Sequence, residues 1–429
     1  MAAATLLTLT ALLGLSDPAV AAAFPKPSSQ NYASSSTSSS LAELALGKVL
    51  NDASPVFGDY ADVGSKTSIW MKSYPDDTPL VQMNIPGTHD AATWNYSLAT
   101  QQALAHVVNL VDDTEYDPAY YRCQNRSMVN MLDAGIRAFD LRYAYDVTNT
   151  TLTFWHGPGL QSETATVDDV MYGFYHWLDQ HPSEAVFLSF QYEGSTSMYS
   201  TSDPSVQLML FNALTSPAAR QYILQTMGSI GTLGQARGKI TLLKRFDFDM
   251  LPTSYTYALP GLHFSPNNWT DNVRSSKPWA QHNADMEQSP NITLIYNSTT
   301  AATAYIEDYY QPLTPANSSY EDNIQWKLNA TESHLRMAAT THPDSLFWSF
   351  ASSTNLANNL PVTPAMQALG LGNASTPGGG VNQRLVPFLE GMKGKRLGIV
   401  MFDFYETPGD LLPLFLSLLP PGKASSYAV

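Results

Sequence analysis

Cysteine is nearly absent: Cys123 stands alone among 429 residues. One thiol cannot close an intramolecular disulfide, so neither a disulfide framework nor a cysteine-rich zinc site is available, and stability must come from an apolar core. Positive charge is also scarce, with 22 Lys and Arg against 37 Asp and Glu for a net charge of −15. That balance excludes the basic footprint of a nucleic-acid binder and argues against strong docking on anionic lipid. No internal repeat of solenoid or propeller length is present. The apolar run near the start, Thr5–Leu15, is too short to cross ~30 Å of hydrocarbon.

That run is followed by a small-residue stretch, Ala19–Ala23, and the two together read as a secretory signal over residues 1–23, although its n-region carries no Lys or Arg. Residues 24–45 are Ser-rich and read as a disordered lead-in. Residues 46–429 read as a single domain, since barrel folds exceed the usual domain length. Asn95, Asn125, Asn149, Asn268, Asn291, Asn297, Asn317, Asn329 and Asn373 each begin an N-x-S/T sequon, an enrichment that fits an extracellular glycoprotein.

With 44% hydrophobic residues the chain can build a sizeable core. Short apolar runs bounded by Gly, Pro, Asn and Asp predict strands at Leu80–Ile85, Ala138–Tyr145, Val186–Phe190, Ile240–Phe246, Thr303–Ile306, Leu346–Phe350 and Leu397–Phe404. Helical stripes lie between several of them. One comprises Val167, Val170, Met171, Phe174, Trp177 and Leu178 behind a Thr166 cap; another contains Met128, Met131 and Leu132 and stops at Gly135. Strands alternating with helices imply parallel pairing, and at this length the expected fold is an α/β, TIM-like (β/α) barrel, distorted or incompletely closed.

Such barrels carry chemistry at the carboxyl ends of their strands. Polar residues gather there: His89 and Asp90 after the first run, Asp140 and Arg142 in the second, His156 after Leu152–Phe154, and Asp403 in the last. Two histidines with carboxylates and an arginine are the parts needed to cleave a phosphodiester through an internal hydroxyl. One imidazole takes a proton, the other gives one, and a reference pKa of roughly 6.5 allows both states near neutrality. Arg142 can hold two phosphoryl oxygens at once. Alternatively, Asp140 and Arg142 form only a salt bridge on one strand face, and each histidine is structural.

The order and spacing of Asn84-Ile85-Pro86-Gly87-Thr88-His89-Asp90, Gln124 through Arg142, Phe154-Trp155-His156-Gly157 and Glu184 through Phe190 resemble the X-domain of phosphatidylinositol-specific phospholipase C, in its secreted, metal-independent branch. The resemblance covers Trp70 to about Gly194. It implies that His89 is the general base acting on the inositol 2-hydroxyl and His156 the general acid for the diacylglycerol oxygen. It further implies that Asp90 pairs with the acid, Asp403 with the base, and Asp140 and Arg142 with the phosphoryl group. Arg142 and Gln191 stand where the calcium-dependent branch has carboxylates, so neither metal nor other cofactor is expected. Beyond Gly194 the likeness weakens; Arg245 (with Lys244 as alternate), Asp308 and Tyr310 match inositol-contacting positions. The implied substrate is phosphatidylinositol or a glycosylphosphatidylinositol-type diester, with transient contact at a membrane surface. Trp269, Trp279, Trp326 and Trp348 are expected mainly in the core, with some at a lipid-facing rim. Competing readings are a phosphodiesterase of the same fold acting on a non-inositol lipid, including a glycerophosphodiesterase-like hydrolase, and a secreted glycoprotein that binds without turnover.

Overall fold

The computed structural model describes residues 39–61, 64–108, 117–196, 201–269 and 292–421. The readings for residues 1–38, Asn291 and Trp279 lie outside these. Eleven strands form one sheet: β1 (Ile85–Thr88), β2 (Ala138–Tyr145), β3 (Leu152–His156), β4 (Gly159–Leu160), β5 (Ala185–Tyr192), β6 (Lys239–Arg245), β7 (Leu262–His263), β8 (Ile292–Asn297), β9 (Ala302–Glu307), β10 (Leu346–Phe350) and β11 (Ile399–Phe402).

Nine of them run in the order β7-β6-β5-β2-β1-β11-β10-β9-β8, parallel throughout except for the antiparallel β8–β9 pair. No ladder joins β7 to β8 among the described residues, so the barrel is nearly but not fully closed. β3 hangs antiparallel from the end of β2 and pairs in turn with β4.

The strand period of two sorts side chains between two cores. Phe139, Leu141, Val186, Leu188, Leu242, Val400 and Phe402 point outward and pack against the helices. Ala138, Phe187, Leu243, Ile306, Ile399 and Met401 fill the barrel interior. Extending the inward alternation toward each strand's carboxyl end brings His89, Asp140, Arg142, Gln191, Arg245, Asp308 and Asp403 to one mouth.

Local signals explain the elements. The helix Val167–Gln180 starts in a capping box between Thr166 and Asp169, and Met128–Ala134 stops at Gly135 in the left-handed conformation (φ 113°), which glycine adopts without a Cβ clash. Gly87 is required for a different reason. A Cβ there would lie 2.4 Å from Met401 Sδ and 2.8 Å from the Ala138 carbonyl oxygen, so only glycine lets β1 fit between β2 and β11.

Two expectations need correction. Leu80–Gln82 is a 3₁₀ turn and the strand spans Ile85–Thr88. Gln82 and Met83 donate their N–H groups back to the Pro79 and Leu80 carbonyls, a local alternative open to a short apolar run after proline. The Ser-rich segment is helical from Leu41, because Ser40 and Glu43 form a capping box that starts Leu41–Phe57. The short β7, the antiparallel β8 and the long helix Tyr320–Thr340 were not foreseen.

Candidate active site

His89 follows β1 and Asp403 follows β11, adjacent strands with Thr88 opposite Phe402. His89 Nδ1 lies 2.9 Å from Asp403 Oδ1, and Arg142 Nη2 donates to His89 Nε2 at 2.6 Å. A guanidinium only donates, so Nε2 offers its lone pair and Nδ1 carries the proton given to Asp403. Burial disfavours the imidazolium, but the Asp403 carboxylate outweighs both burial and the opposing Arg142. The His89 pKa therefore stands above its ordinary value.

His156 reaches the mouth from β3. Its Nδ1 is 2.9 Å from the Tyr121 carbonyl oxygen and 3.0 Å from Asp90 Oδ2. A carbonyl only accepts, so Nδ1 is protonated and Nε2 is the atom that titrates. Burial leads at both partners, pushing Asp90 up to about 7 and His156 down to about 4. At this separation the two titrate as one unit sharing a proton. The imidazole rings of His89 and His156 are 6.3 Å apart, centroid to centroid, and nearly perpendicular.

Arg142 ties the halves together. Its Nε is 3.3 Å from Asp140 Oδ2 and 3.7 Å from Asp90 Oδ2, and Nη1 is 3.7 Å from Glu193 Oε2. Asp140 would be raised by burial, but Arg142 and Arg245 outweigh that and hold it below the usual carboxylate range. Arg245 Nη1 lies 3.6 Å from Asp140 Oδ1, and Nη2 donates to Asp308 Oδ2 at 3.1 Å. Trp269 covers the Arg245 guanidinium at 3.8 Å and donates its indole N–H to the same Asp308 oxygen.

A cleft of about 150 Å³ is lined by His89, Arg142, His156, Arg245, Asp308 and Asp403, with Tyr310 half-exposed at its edge. All ten residues singled out from the sequence except Lys244 lie in or directly behind it. Lys244 shares the outward face of Leu242, where it is buried and donates to the Leu259 carbonyl. Burial lowers its pKa to about 8. Arg245, one residue on, takes the inward position.

Several supporting residues were not assigned from the sequence. Gln124 Nε2 donates to the carbonyls of His89 and Phe402, clamping the ends of β1 and β11. Asn382 Nδ2 donates to the carbonyls of Asp403, Phe404 and Thr407. These amides fix two turns of positive φ, Asp90 at 42° and Phe404 at 46°; for a bulky residue such as Phe404 that conformation is strained. Glu193 was signalled only by period two after Gln191. Nothing in the sequence marked Asn382.

Two donor groups, His89–Cys123–Asp403 and Asp90–Cys123–His156, are close enough to hold an ion. Both depend on the buried Cys123 thiol, whose pKa burial pushes well up. Both also abut the Arg142 guanidinium, which already supplies positive charge. The donor set therefore fits a metal poorly.

No family model matches the chain. It is 33% identical over 135 residues to PI-PLC X domain-containing protein 1 of Danio rerio, covering 28% of this chain and 42% of the relative. It is 27% identical over 181 residues to 1-phosphatidylinositol phosphodiesterase of Listeria monocytogenes, covering 41% and 48% respectively. The matches thus span less than half the length of these curated relatives. Among solved structures, a phosphatidylinositol-specific phospholipase C variant from Staphylococcus aureus superposes with a TM-score of 0.57 at 17% identity, over 82% of this chain and 97% of that one. The Listeria monocytogenes enzyme superposes with a TM-score of 0.53 at 21% identity over the same shares. The chain therefore has homologues among the PI-PLC X domain-containing proteins and bacterial 1-phosphatidylinositol phosphodiesterases, and it shares the barrel fold of bacterial phosphatidylinositol-specific phospholipase C.

Proposed function

We propose that this protein is a metal-independent phosphodiesterase that cleaves phosphatidylinositol-type diesters through a cyclic intermediate product. The observation that carries the reading is the convergence of His89, His156 and Arg142 on one cleft. His89 Nε2 takes the proton of the inositol 2-hydroxyl. That oxygen bonds to phosphorus as the bond to the glycerol oxygen breaks, and His156 Nε2 supplies the proton to the departing alcohol. The products are an inositol 1,2-cyclic phosphate and diacylglycerol, so atoms and charge balance.

Arg142 offsets the negative charge that builds on the phosphoryl oxygens. A phosphoryl group competing for this guanidinium frees His89 Nε2 to act as base. Asp403 and Asp90 orient the base and the acid, and Arg245, Asp308 and Tyr310 bind the inositol ring. The homology to bacterial 1-phosphatidylinositol phosphodiesterases supports this substrate class. The leader over residues 1–23 and the sequons favour secretion as a glycoprotein; release of the processed chain into medium tests that.

The decisive assay incubates purified protein with radiolabelled phosphatidylinositol, with and without chelator, and resolves the products. Cyclic inositol phosphate in equal amount under both conditions is expected. Loss of product on chelation would overturn the metal-independent chemistry, and exclusive hydrolysis of non-inositol diesters would overturn the substrate class.

A further inference from the structure

Behind the cleft, where β9 ends, lies a cluster of charged and hydroxyl side chains that the proposed chemistry does not use. Glu307 is the last residue of β9, and Lys327 stands in the helix Tyr320–Thr340. Both side chains are fully buried, and Lys327 Nζ donates to Glu307 Oε1 at 2.6 Å. Thr331, one turn further along the helix, donates its hydroxyl to Glu307 Oε2 at 3.2 Å, and Ser349 of β10 donates to the same oxygen at 2.8 Å. Neither charged residue lines the cleft.

What the pair holds is the backbone between two cleft residues. The Tyr309 N–H donates to Glu307 Oε1 at 3.1 Å, and the Tyr309 carbonyl accepts from Lys327 Nζ at 3.0 Å. The Tyr309 ring packs edge-on against Trp326 at 5.4 Å, so this side chain turns toward the helix. Asp308 and Tyr310, on either side of it, line the cleft. Thr354 closes the far end of the turn by donating its N–H to the Tyr310 carbonyl at 2.8 Å.

Burying two charges carries a steep desolvation penalty, and well-packed apolar residues of similar volume are often no less stabilising. Stability alone is therefore a weak reason for an ion pair at this place. An apolar pair could not grip a peptide N–H and a peptide carbonyl at once, and this pair does both on the one residue that separates Asp308 from Tyr310.

We infer that Glu307 and Lys327 are positioning residues that fix Asp308 and Tyr310 in register with the phosphoryl-binding half of the cleft. The inference rests on the phosphodiesterase reading and adds the residues that set its affinity for the inositol ring. The partners of the pair are Tyr309, Thr331 and Ser349, not His89, His156 or Arg142. Loosening it should weaken ring binding and leave the acid–base groups as they are.

The test uses a short-chain phosphatidylinositol below its micelle concentration, so that no lipid interface enters, and reads KM, kcat and the pH profile. Glu307→Gln combined with Lys327→Met removes both charges and leaves no buried ion unpaired. Loss of binding shared by ground and transition states raises KM alone, so KM is expected to rise ~10-fold with kcat within about threefold of native and both pH limbs unmoved. Thr331→Val deletes only one donor to Glu307 and should raise KM roughly 3-fold, and Thr331→Ser should restore it. With folding checked by circular dichroism, a double variant of native KM, or displaced pH limbs, overturns the positioning role and leaves the chemistry standing. Should the double variant not fold, Thr331→Val decides, and a native KM there overturns the role. A folded native protein that does not cleave the inositol lipid overturns the underlying reading and the inference with it.

Discussion

Replacing Asp403 by Asn probes the proposed base, His89, alone. Asp403 is buried, and its Oδ1 faces His89 Nδ1 at 2.9 Å. Its Oδ2 has no hydrogen-bond partner among the described residues, so the carboxylate is devoted to the histidine. The substitution keeps the shape and removes one charge-assisted hydrogen bond, a contribution of roughly 1.5–3 kcal/mol. At about 1.36 kcal/mol per decade, kcat/KM should fall roughly 10- to 150-fold. An amide that turned its NH₂ toward the ring would force the proton onto Nε2 and abolish the base, so this is a lower bound. The pH profile must move as well. Asp403 is what lifts the His89 pKa, against burial and Arg142. Without it His89 becomes neutral at lower pH, and the acid limb of kcat/KM shifts downward. Initial rates across the pH range, with circular dichroism as a control of folding, provide the measurement. Activity within threefold of the native protein, or an acid limb that stays put, refutes the pairing.

Native kcat/KM should itself be bell-shaped, rising as His89 loses its proton and falling near pH 7 as the Asp90–His156 unit loses its own; a plateau extending to pH 9 would contradict the shared proton. Arg142→Lys keeps the charge but loses the fork that spans Asp90, Asp140 and Glu193. Turnover should drop by roughly 10²-fold, a loss that saturating substrate does not restore. Arg137→Ala acts at the opposite end of the barrel, where Arg137 and Glu184 form a fully buried pair at 2.8 Å and Arg137 also donates to the carbonyls of Leu132, Ile136 and Ser68. Leaving that carboxylate uncompensated should cost about 3–5 kcal/mol in a denaturant titration, and a variant as stable as the native chain would count against the pair's role.

What could be read from the sequence follows from period two. Ala138, Asp140 and Arg142 had to share a face, and the run Ile399–Phe402 had to send Asp403 to the side of Met401. The first half was legible because each chemical residue lies within a strand or directly after one. The residues after Arg245 were harder. Lys244 and Arg245 are equal candidates by composition, and only the register of β6 against β5 turns Arg245 inward. Trp269 reads as core, and it is buried, yet it also forms the lid of a guanidinium. Gln124 and Asn382 act through backbone carbonyls of distant turns, so no local pattern could announce them. The strand expected at Leu80 failed because proline and two turn hydrogen bonds satisfied the backbone locally.

The proposed reaction asks one cavity to hold two identical rings in opposite states, and each ring has a different partner. His89 has a carboxylate of its own; His156 shares a proton with Asp90, a carboxylate that Arg142 also draws on. Arg142 repels the imidazolium at both rings while donating to the base, so the unliganded cleft is held in a resting state. In the proposed reaction a phosphoryl group that takes up the guanidinium would uncover His89 Nε2 and make a proton on either ring less costly. On this argument Arg142→Gln, which removes the charge that disfavours both imidazoliums, should displace both limbs of the pH profile toward higher pH, whereas a residue that merely bound phosphate would change the rate and leave the limbs where they were.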